Sequence, residues 1–207
     1  SCNEPGELVG RRFARFTTNT VVQRPRLWPL FRPLMRRQFD RLAPVWDSMR
    51  LEDTLASYQA ALDRIPDPVE RALDVGTGTG AGARAILERF PSAEVVGVDV
   101  SPAMLAEARR LGPGVSFVEG DASKLPFDDA SFDLVAHQNM IPFPDEVARV
   151  LRPGGWVIFA FSSGPETPIW VEPERLRTEL ERRGFSEFAE LAAARGVAVV
   201  ARSAKPH

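Results

Sequence analysis

The stretch Ala72-Leu73-Asp74-Val75-Gly76-Thr77-Gly78-Thr79-Gly80-Ala81-Gly82 decides the fold. It begins as an apolar run, passes through a turn of alternating glycine and threonine, and continues in a helical pattern: a strand, a tight turn and a helix start. Glycines at alternate positions tolerate positive φ and remove the Cβ atoms that would hold a ligand off the backbone. The helix beyond them offers unpaired N–H groups. A nucleotide-like ligand belongs at such a turn. The next apolar run, Glu94 to Asp99, ends in a carboxylate 23 residues after Gly76, close to the roughly 20 at which an acid grips ribose hydroxyls. Two successive β-α units therefore aim at one adenosine-type site.

The alternation continues outward from this point. A strand at 72–76 leads to a helix at 80–90, closed by Phe90-Pro91. A strand at 94–99 leads to a helix at 102–110, with Ser101 as N-cap and Pro102 in first position. Strands follow at 115–119 and 131–137, and a short helix within 142–151 is closed by Arg152-Pro153-Gly154-Gly155. A strand at 156–161 and a helix at 173–183 precede two strands, 185–192 and 197–201, joined through Arg195-Gly196 as a hairpin. The pattern predicts an α/β fold: a doubly wound, mostly parallel seven-stranded sheet with an antiparallel C-terminal hairpin. Its ligand sits at the carboxyl ends of the strands, where the strand order reverses.

Before the sheet, residues 1–26 mix Gly, Pro, Asn, Thr and Arg without a clear period and read as a mobile or loosely docked basic arm. Residues 27–68 read as a helical lid or cap, and 69–207 as the ligand-binding domain. Leu34, Met35, Phe39, Leu42 and Trp46 recur at helical spacing until Pro44 stops or bends the helix. A second helix spans 52–64, its apolar face made by Leu51, Leu55, Tyr58, Leu62 and Ile65. The two helices either cap the ligand edge of the sheet, with Phe39 and Trp46 against the substrate, or pack on its side as ordinary cover.

Length and composition set the outer bounds. The 207 residues suit one domain with an appendage, and 44% hydrophobic with 26% charged residues is ordinary for a globular chain. A net charge of −2 gives no reason to expect nucleic acid as a general partner. Yet the first 50 residues hold ten Arg and no Lys against Glu4, Glu7, Asp40 and Asp47, a balance of +6 that leaves −8 for the rest. Such a basic segment touches an anionic substrate, a membrane surface or RNA, or simply docks on the acidic body. Cys2 is the only cysteine, so neither an internal disulfide nor a Cys/His zinc site is available, which suits a reducing cytoplasm. The longest apolar run, Trp156 to Phe161, falls far short of the ~18 residues of a membrane span, and no signal-peptide core is visible.

Taken together, these residues resemble the class I S-adenosylmethionine-dependent methyltransferases from Phe39 to Ala201. The resemblance implies that Gly76, Thr77, Gly78, Thr79 and Gly80 lie against the methionine and ribose of the cofactor. Asp74 would meet the ammonium or orient the turn. Asp99, within Val98-Asp99-Val100-Ser101-Pro102-Ala103-Met104-Leu105, matches the acid that binds the ribose, with Val100 and Met104 beside it. Gly120-Asp121-Ala122, followed by Leu125-Pro126-Phe127, matches the segment whose Asp takes the adenine amino group. The two carboxylates 99 and 121 are thus expected to converge on opposite ends of one adenosine. Leu151-Arg152-Pro153-Gly154-Gly155 is similar to the family's entry to its fifth strand. Gln38 to Asp47 resembles the segment before the fold in quinone-biosynthesis methyltransferases and their small-molecule relatives, with Trp46 where those have Tyr. The stretch from His137 to Val150 departs from the family by being shorter and lacking its His-Leu run. Two residues separate Asn139 from Pro142, so the signature of enzymes that methylate amide or base nitrogens is not assigned.

The implied activity is transfer of a methyl group from S-adenosylmethionine to a small-molecule acceptor, leaving S-adenosylhomocysteine. The acceptor pocket would be formed by the lid with 137–145 and 162–172, including Asn139 and Ser162. A sulfonium methyl group needs alignment and exclusion of water more than it needs catalytic side chains. Few are on offer: two His, one Tyr and two Lys. His137, with Gln138 at the end of the fourth strand, is the general-base candidate by its ordinary pKa; alternatively the pair only lines the cofactor pocket. No metal site is expected. Gly76-x-Gly78-x-x-Ala81 also satisfies a dinucleotide fingerprint, but a nicotinamide oxidoreductase is disfavoured because Tyr58 has Leu62 four places on, where that chemistry wants Lys. A P-loop is excluded, since no Gly-Lys-Ser/Thr follows the turn. A non-catalytic cofactor-binding or partner protein of the same fold stays open.

Overall fold

The computed structural model describes residues 5–50 and 52–204, so Cys2, Leu51 and His207 lie outside the described residues. Seven strands form one sheet: β1 (Arg71–Val75), β2 (Glu94–Asp99), β3 (Val115–Glu119), β4 (Phe132–Gln138), β5 (Leu151–Phe161), β6 (Phe185–Ala193) and β7 (Gly196–Ser203). Their order is β3-β2-β1-β4-β5-β7-β6. The first five run parallel, and β7 is antiparallel to both β5 and β6. Parallel strands covered on both faces need near-continuous apolar runs, and these strands supply them. Leu73, Val75, Val98, Val135 and Phe159 enter one core layer, while Ala72, Val95, Leu134, Ala136 and Ile158 enter the other.

Among the described residues seven α-helices accompany the sheet: α1 (Pro5–Gln23), α2 (Trp28–Leu42), α3 (Ala56–Leu62), α4 (Ala81–Arg89), α5 (Pro102–Arg110), α6 (Pro144–Val150) and α7 (Pro173–Glu181). α3 and α4 bury Tyr58, Leu62, Ala83 and Ile86 in the second layer; α6 and α7 bury Val147, Val150, Leu176 and Leu180 in the first. Ser101 caps α5 as expected, its hydroxyl accepting from the Met104 N–H at 3.2 Å.

Three local expectations change. Residues 1–26, read as an arm without a period, are helical over Pro5–Gln23. The inward positions of α1 include Thr17 and Thr18, both fully buried, beside Val21. Thr18 and Thr20 donate to the carbonyls of Ala14 and Phe16, each at 2.8 Å. Threonines that fold their hydroxyls onto their own helix pack as apolar surface without looking apolar in sequence. α1 is also held from outside: Arg11, Arg15 and Arg175 donate to the carbonyls of Glu166, Pro165 and Val22. α2 begins at Trp28 and carries Pro33 inside it, whereas α3 is shorter than the span 52–64. Finally, β5 begins at Leu151. Its register jumps from Phe132↔Leu151 to Leu134↔Trp156, so Arg152 to Gly155 form a bulge inside the strand.

The strand order reverses between β1 and β4, where Val75 stands beside His137. The crevice at their carboxyl ends is where such folds take ligands.

Burial predicts very different tolerance along the chain. Leu134→Ala, at a fully buried central-strand position, should cost about 2–5 kcal/mol. Leu34→Ala, on the exposed edge of α2, should stay within about 0.5 kcal/mol. Urea unfolding of the two variants tests this; equal losses would contradict the assigned core.

Candidate cofactor and acceptor site

A cavity of about 800 Å³ opens at the carboxyl ends of β1, β2 and β4, within the roughly 300–1,000 Å³ of small-molecule sites. Gly76, Thr77 and Gly78 form its floor. Gly76 (φ +70°) and Gly78 (φ +54°) both take the left-handed conformation that favours glycine. A Cβ on Gly76 would sit 2.7 Å from the Met140 sulfur, whereas one on Gly78 would meet only the Trp46 indole nitrogen, at 3.8 Å. The bare Gly78 backbone thus faces open cavity.

Asp99 holds this turn. Its carboxylate accepts from the N–H of Gly78 and of Ser101, each at 2.9 Å, and it lines the cavity. Burial pushes its pKa up. Asp74 lies under the same turn, where a Cβ on Gly82 would come within 2.8 Å of both its oxygens, and accepts from the Tyr58 hydroxyl at 2.9 Å. Burial raises its pKa to about 6. Val100, Met104, Gly120, Ala122 and Gln138 complete this half of the cavity. Gln138 donates to the Thr54 carbonyl at 2.8 Å, while its side-chain oxygen is buried with no partner among the described residues.

The roof comes from the N-terminal segments. Trp28, Met35, Phe39 and Trp46 line the cavity, with Phe39 edge-on to Trp46 at 5.7 Å. Polar contacts tie these segments to the loops at the strand ends. The Ser101 hydroxyl donates to Asp40 at 2.6 Å, the Thr79 hydroxyl donates to Asp47 at 2.6 Å, and Arg50 donates to Thr79 at 3.0 Å. Asn139 and Ser162 also line the cavity and bind each other, the amide donating to the hydroxyl at 2.9 Å.

Four expected site residues are placed elsewhere. The Asp121 carboxylate does not line the cavity. It accepts from the Trp28 indole at 2.8 Å, from Arg32 at 2.9 Å, and from the Ser123 N–H and hydroxyl. Burial alone would raise its pKa, but these donors outweigh it and hold the carboxyl below its ordinary value. Of the two carboxylates only that of Asp99 lines the cavity; beside Asp121 it is the neighbours Gly120 and Ala122 that reach it. Thr79 is spent on Asp47 and Arg50, and Gly80 packs toward Phe117. His137 is buried, 2% exposed, stacked on Phe159 at 4.3 Å, with Nδ1 3.1 Å from the Ile158 carbonyl. Burial lowers its pKa to about 4, so it is neutral and turned into the core, unsuited to act as a base. Sequence reasoning missed Trp28, Met35, Arg50 and the Tyr58–Asp74 pair. The polar contacts of Trp28, Arg50 and Tyr58 reach 93, 29 and 16 residues along the chain; the helical spacing put Met35 and Tyr58 on apolar faces without saying what they meet.

A glycine turn after β1, an acid ending β2 and an antiparallel β7 slotted between β5 and β6 define the class I S-adenosylmethionine-dependent methyltransferase fold. The chain matches the methyltransferase domain family over residues 72–155. It is 36% identical to the demethylmenaquinone methyltransferase of Chlorobaculum tepidum, over 60% of this chain and 57% of that protein. It is 39% identical to that of Thermus thermophilus, over 62% of this chain and 66% of that protein. The match thus spans a little under two thirds of these relatives. A solved S-adenosylmethionine-dependent methyltransferase from Aquifex aeolicus superposes with a TM-score of 0.65 at 17% identity, covering 77% of this chain and 97% of that one; that likeness is one of fold.

The two buried titratable groups pull stability in opposite directions. Asp74, raised from 3.8 to about 6, adds stability that is complete below pH 3.8 and lost as pH rises through about 6. His137, lowered from 6.5 to about 4, adds stability that is complete above pH 6.5 and lost as pH falls through about 4. Each is worth about 3 kcal/mol at roughly 1.4 kcal/mol per pH unit. The wild type should be nearly flat between pH 4 and 6.5 in these groups. Asp74→Asn should lose about 3 kcal/mol on acidification and His137→Phe should gain about as much. Denaturant unfolding across that range decides; parallel pH slopes in all three proteins would refute the assignment.

Proposed function

We propose that this protein transfers a methyl group from S-adenosylmethionine to a small-molecule acceptor, with residues 69–207 binding the cofactor and 27–68 acting as the lid. The observation that carries this reading is the single cavity running from Gly78 and Asp99 to Phe39, Trp46, Asn139 and Ser162. The residues suit the cofactor: Gly78 leaves room at the turn, and the unpartnered Gln138 oxygen is an acceptor awaiting a donor such as an ammonium. When bound, the group would supply an activated sulfonium methyl. Asp99 would hold the ribose hydroxyls, and Gly120 and Ala122 would leave the adenine to backbone contacts, with Asp121 positioning Trp28. Val100 and Met104 would pack against the same half of the ligand.

Among the described residues, no histidine, lysine or cysteine lines the cavity. The protein's contribution is then alignment and removal of water under the aromatic roof. Met140, Ile141 and Ile169 make the acceptor side apolar, and Asn139 with Ser162 supplies its polar contact. The names of the demethylmenaquinone relatives support a small apolar acceptor, as does the Gln38 to Asp47 segment. No helix among the described residues is long and apolar enough to cross a membrane; the cytoplasmic location we propose rests instead on the lone Cys2, which suits a reducing compartment.

Isothermal titration should show binding of S-adenosylmethionine and S-adenosylhomocysteine but not NADH. Asp99→Ala should weaken both by about 10- to 100-fold, the worth of hydrogen bonds to a charged group. Methyl transfer to an extracted acceptor should persist in His137→Gln with kcat within a few-fold. Absence of cofactor binding in the wild type would end this reading; binding without any turnover would leave a sensor or partner protein instead.

A further inference from the structure

Most arginines in this chain donate to a carboxylate or a carbonyl: Arg32 to Asp121, Arg36 to Glu119, Arg11 and Arg15 to the 165–166 loop. Arg12, Arg24, Arg26, Arg37, Arg41, Arg64 and Arg195 have no such partner among the described residues, and the first five of these belong to the first two helices and the joint between them. Arg37 and Arg41 continue a stripe along α2 that starts with Leu30 and Leu34, which are 70% and 54% exposed. The spacing keeps all four side chains on one helix face. Phe16 of α1, 61% exposed, stands edge-on to Phe31 at 6.2 Å and extends the apolar strip sideways. Single exposed apolar residues mean little, but a contiguous strip rimmed by unpaired cations marks an interaction surface.

The same face holds an open hollow of about 530 Å³ lined by Phe13, Leu34, Arg37, Gln38, Arg41 and Leu42. Gln38 and Leu42 also line the large cavity. One layer of side chains therefore separates the outer hollow from the site. Charge adds a direction: the first 50 residues carry +6 and the rest −8, so an anionic plane attracts this face and repels the body behind it.

We propose that the outer face of α1 and α2 docks on an anionic lipid surface. Phe16, Leu30 and Leu34 enter the headgroup boundary, and Arg12, Arg37 and Arg41 meet lipid phosphates. Leucines at the outermost positions gain nothing from the phosphates of a nucleic acid, whereas the acyl boundary takes them directly. The hollow then lies at the lipid level, with Gln38 and Leu42 as the wall between an apolar acceptor and the cavity. This surface goes beyond the reading of the cavity and does not depend on what reaction occurs there.

Flotation with vesicles tests it on the 207-residue chain. The wild type should float with vesicles of phosphatidylcholine and phosphatidylglycerol at low salt, not with phosphatidylcholine alone, and should be released by high salt. Arg37→Ala and Arg41→Ala should each weaken partition about fivefold. Leu30→Glu with Leu34→Glu should abolish it while thermal melting and S-adenosylmethionine affinity stay unchanged. Failure of the wild type to float with anionic vesicles, or unchanged flotation of the double glutamate variant, overturns the proposal. So does gel filtration showing a wild-type dimer that the same variant converts to monomer, because a second copy would then cover the face. The readout needs neither cofactor nor acceptor, so its failure is distinct from failure of the methyltransferase reading.

Discussion

Everything at the site depends on the Asp99 carboxylate gripping the Gly78 N–H across the carboxyl edge of the sheet. The chain leaving β1 must cross toward β2 without putting a side chain over the crevice, and only a turn with positive φ at Gly76 and Gly78 does so. Such a turn has little to hold it by itself. The Gly76 and Thr77 N–H groups donate to the Val98 carbonyl, and Asp99 takes the next amide, so the end of β2 sets the height of the turn. The same carboxylate binds the Ser101 N–H at the start of α5. One side chain thus joins a strand end, a glycine turn and a helix cap, and it does so facing the cavity.

Around that junction the protein uses its charged residues as ties. Asp40, Asp47, Arg32 and Arg36 from the N-terminal segments all reach loops at the carboxyl edge. The roof of the cavity is therefore fastened at several points on its rim. Asp121 is the instructive case: placed where an adenine contact is expected, its carboxylate instead holds Trp28 and Arg32. A half-buried acid already satisfied by four donors gains little from a fifth, whereas losing the indole would leave a buried N–H unpaired. Below the turn, Asp74 takes the opposite course. Full burial raises its pKa despite its donors, and it offsets the acid lability that the buried His137 brings.

The sheet was legible because each of its elements is written locally. Apolar runs, Ser101-Pro102, Gly184 and Arg195-Gly196 place most strands and helices within a residue or two of where they form, the start of β5 and the ends of α3 excepted. Gly76, Gly78 and Asp99 were legible for the same reason, since spacing along two β-α units carries them to one edge. α1 was not, because its buried stripe sets Thr17 and Thr18 beside Val21, and of these threonines Thr18 turns its hydroxyl onto its own helix. His137 was misjudged because a strand residue's position does not say which way its ring turns; stacking on Phe159 decides that.

The amino-acid pattern alone determined the doubly wound sheet, the glycine turn and the acid that holds it, since these follow from periodicity and backbone conformation over short spans. Tertiary structure alone decided what covers the crevice and which polar groups remain free to face it. That choice rests on pairings such as Trp28 with Asp121, 93 residues apart, or Asn139 with Ser162, and no local rule specifies a contact whose two halves meet only after the sheet has formed.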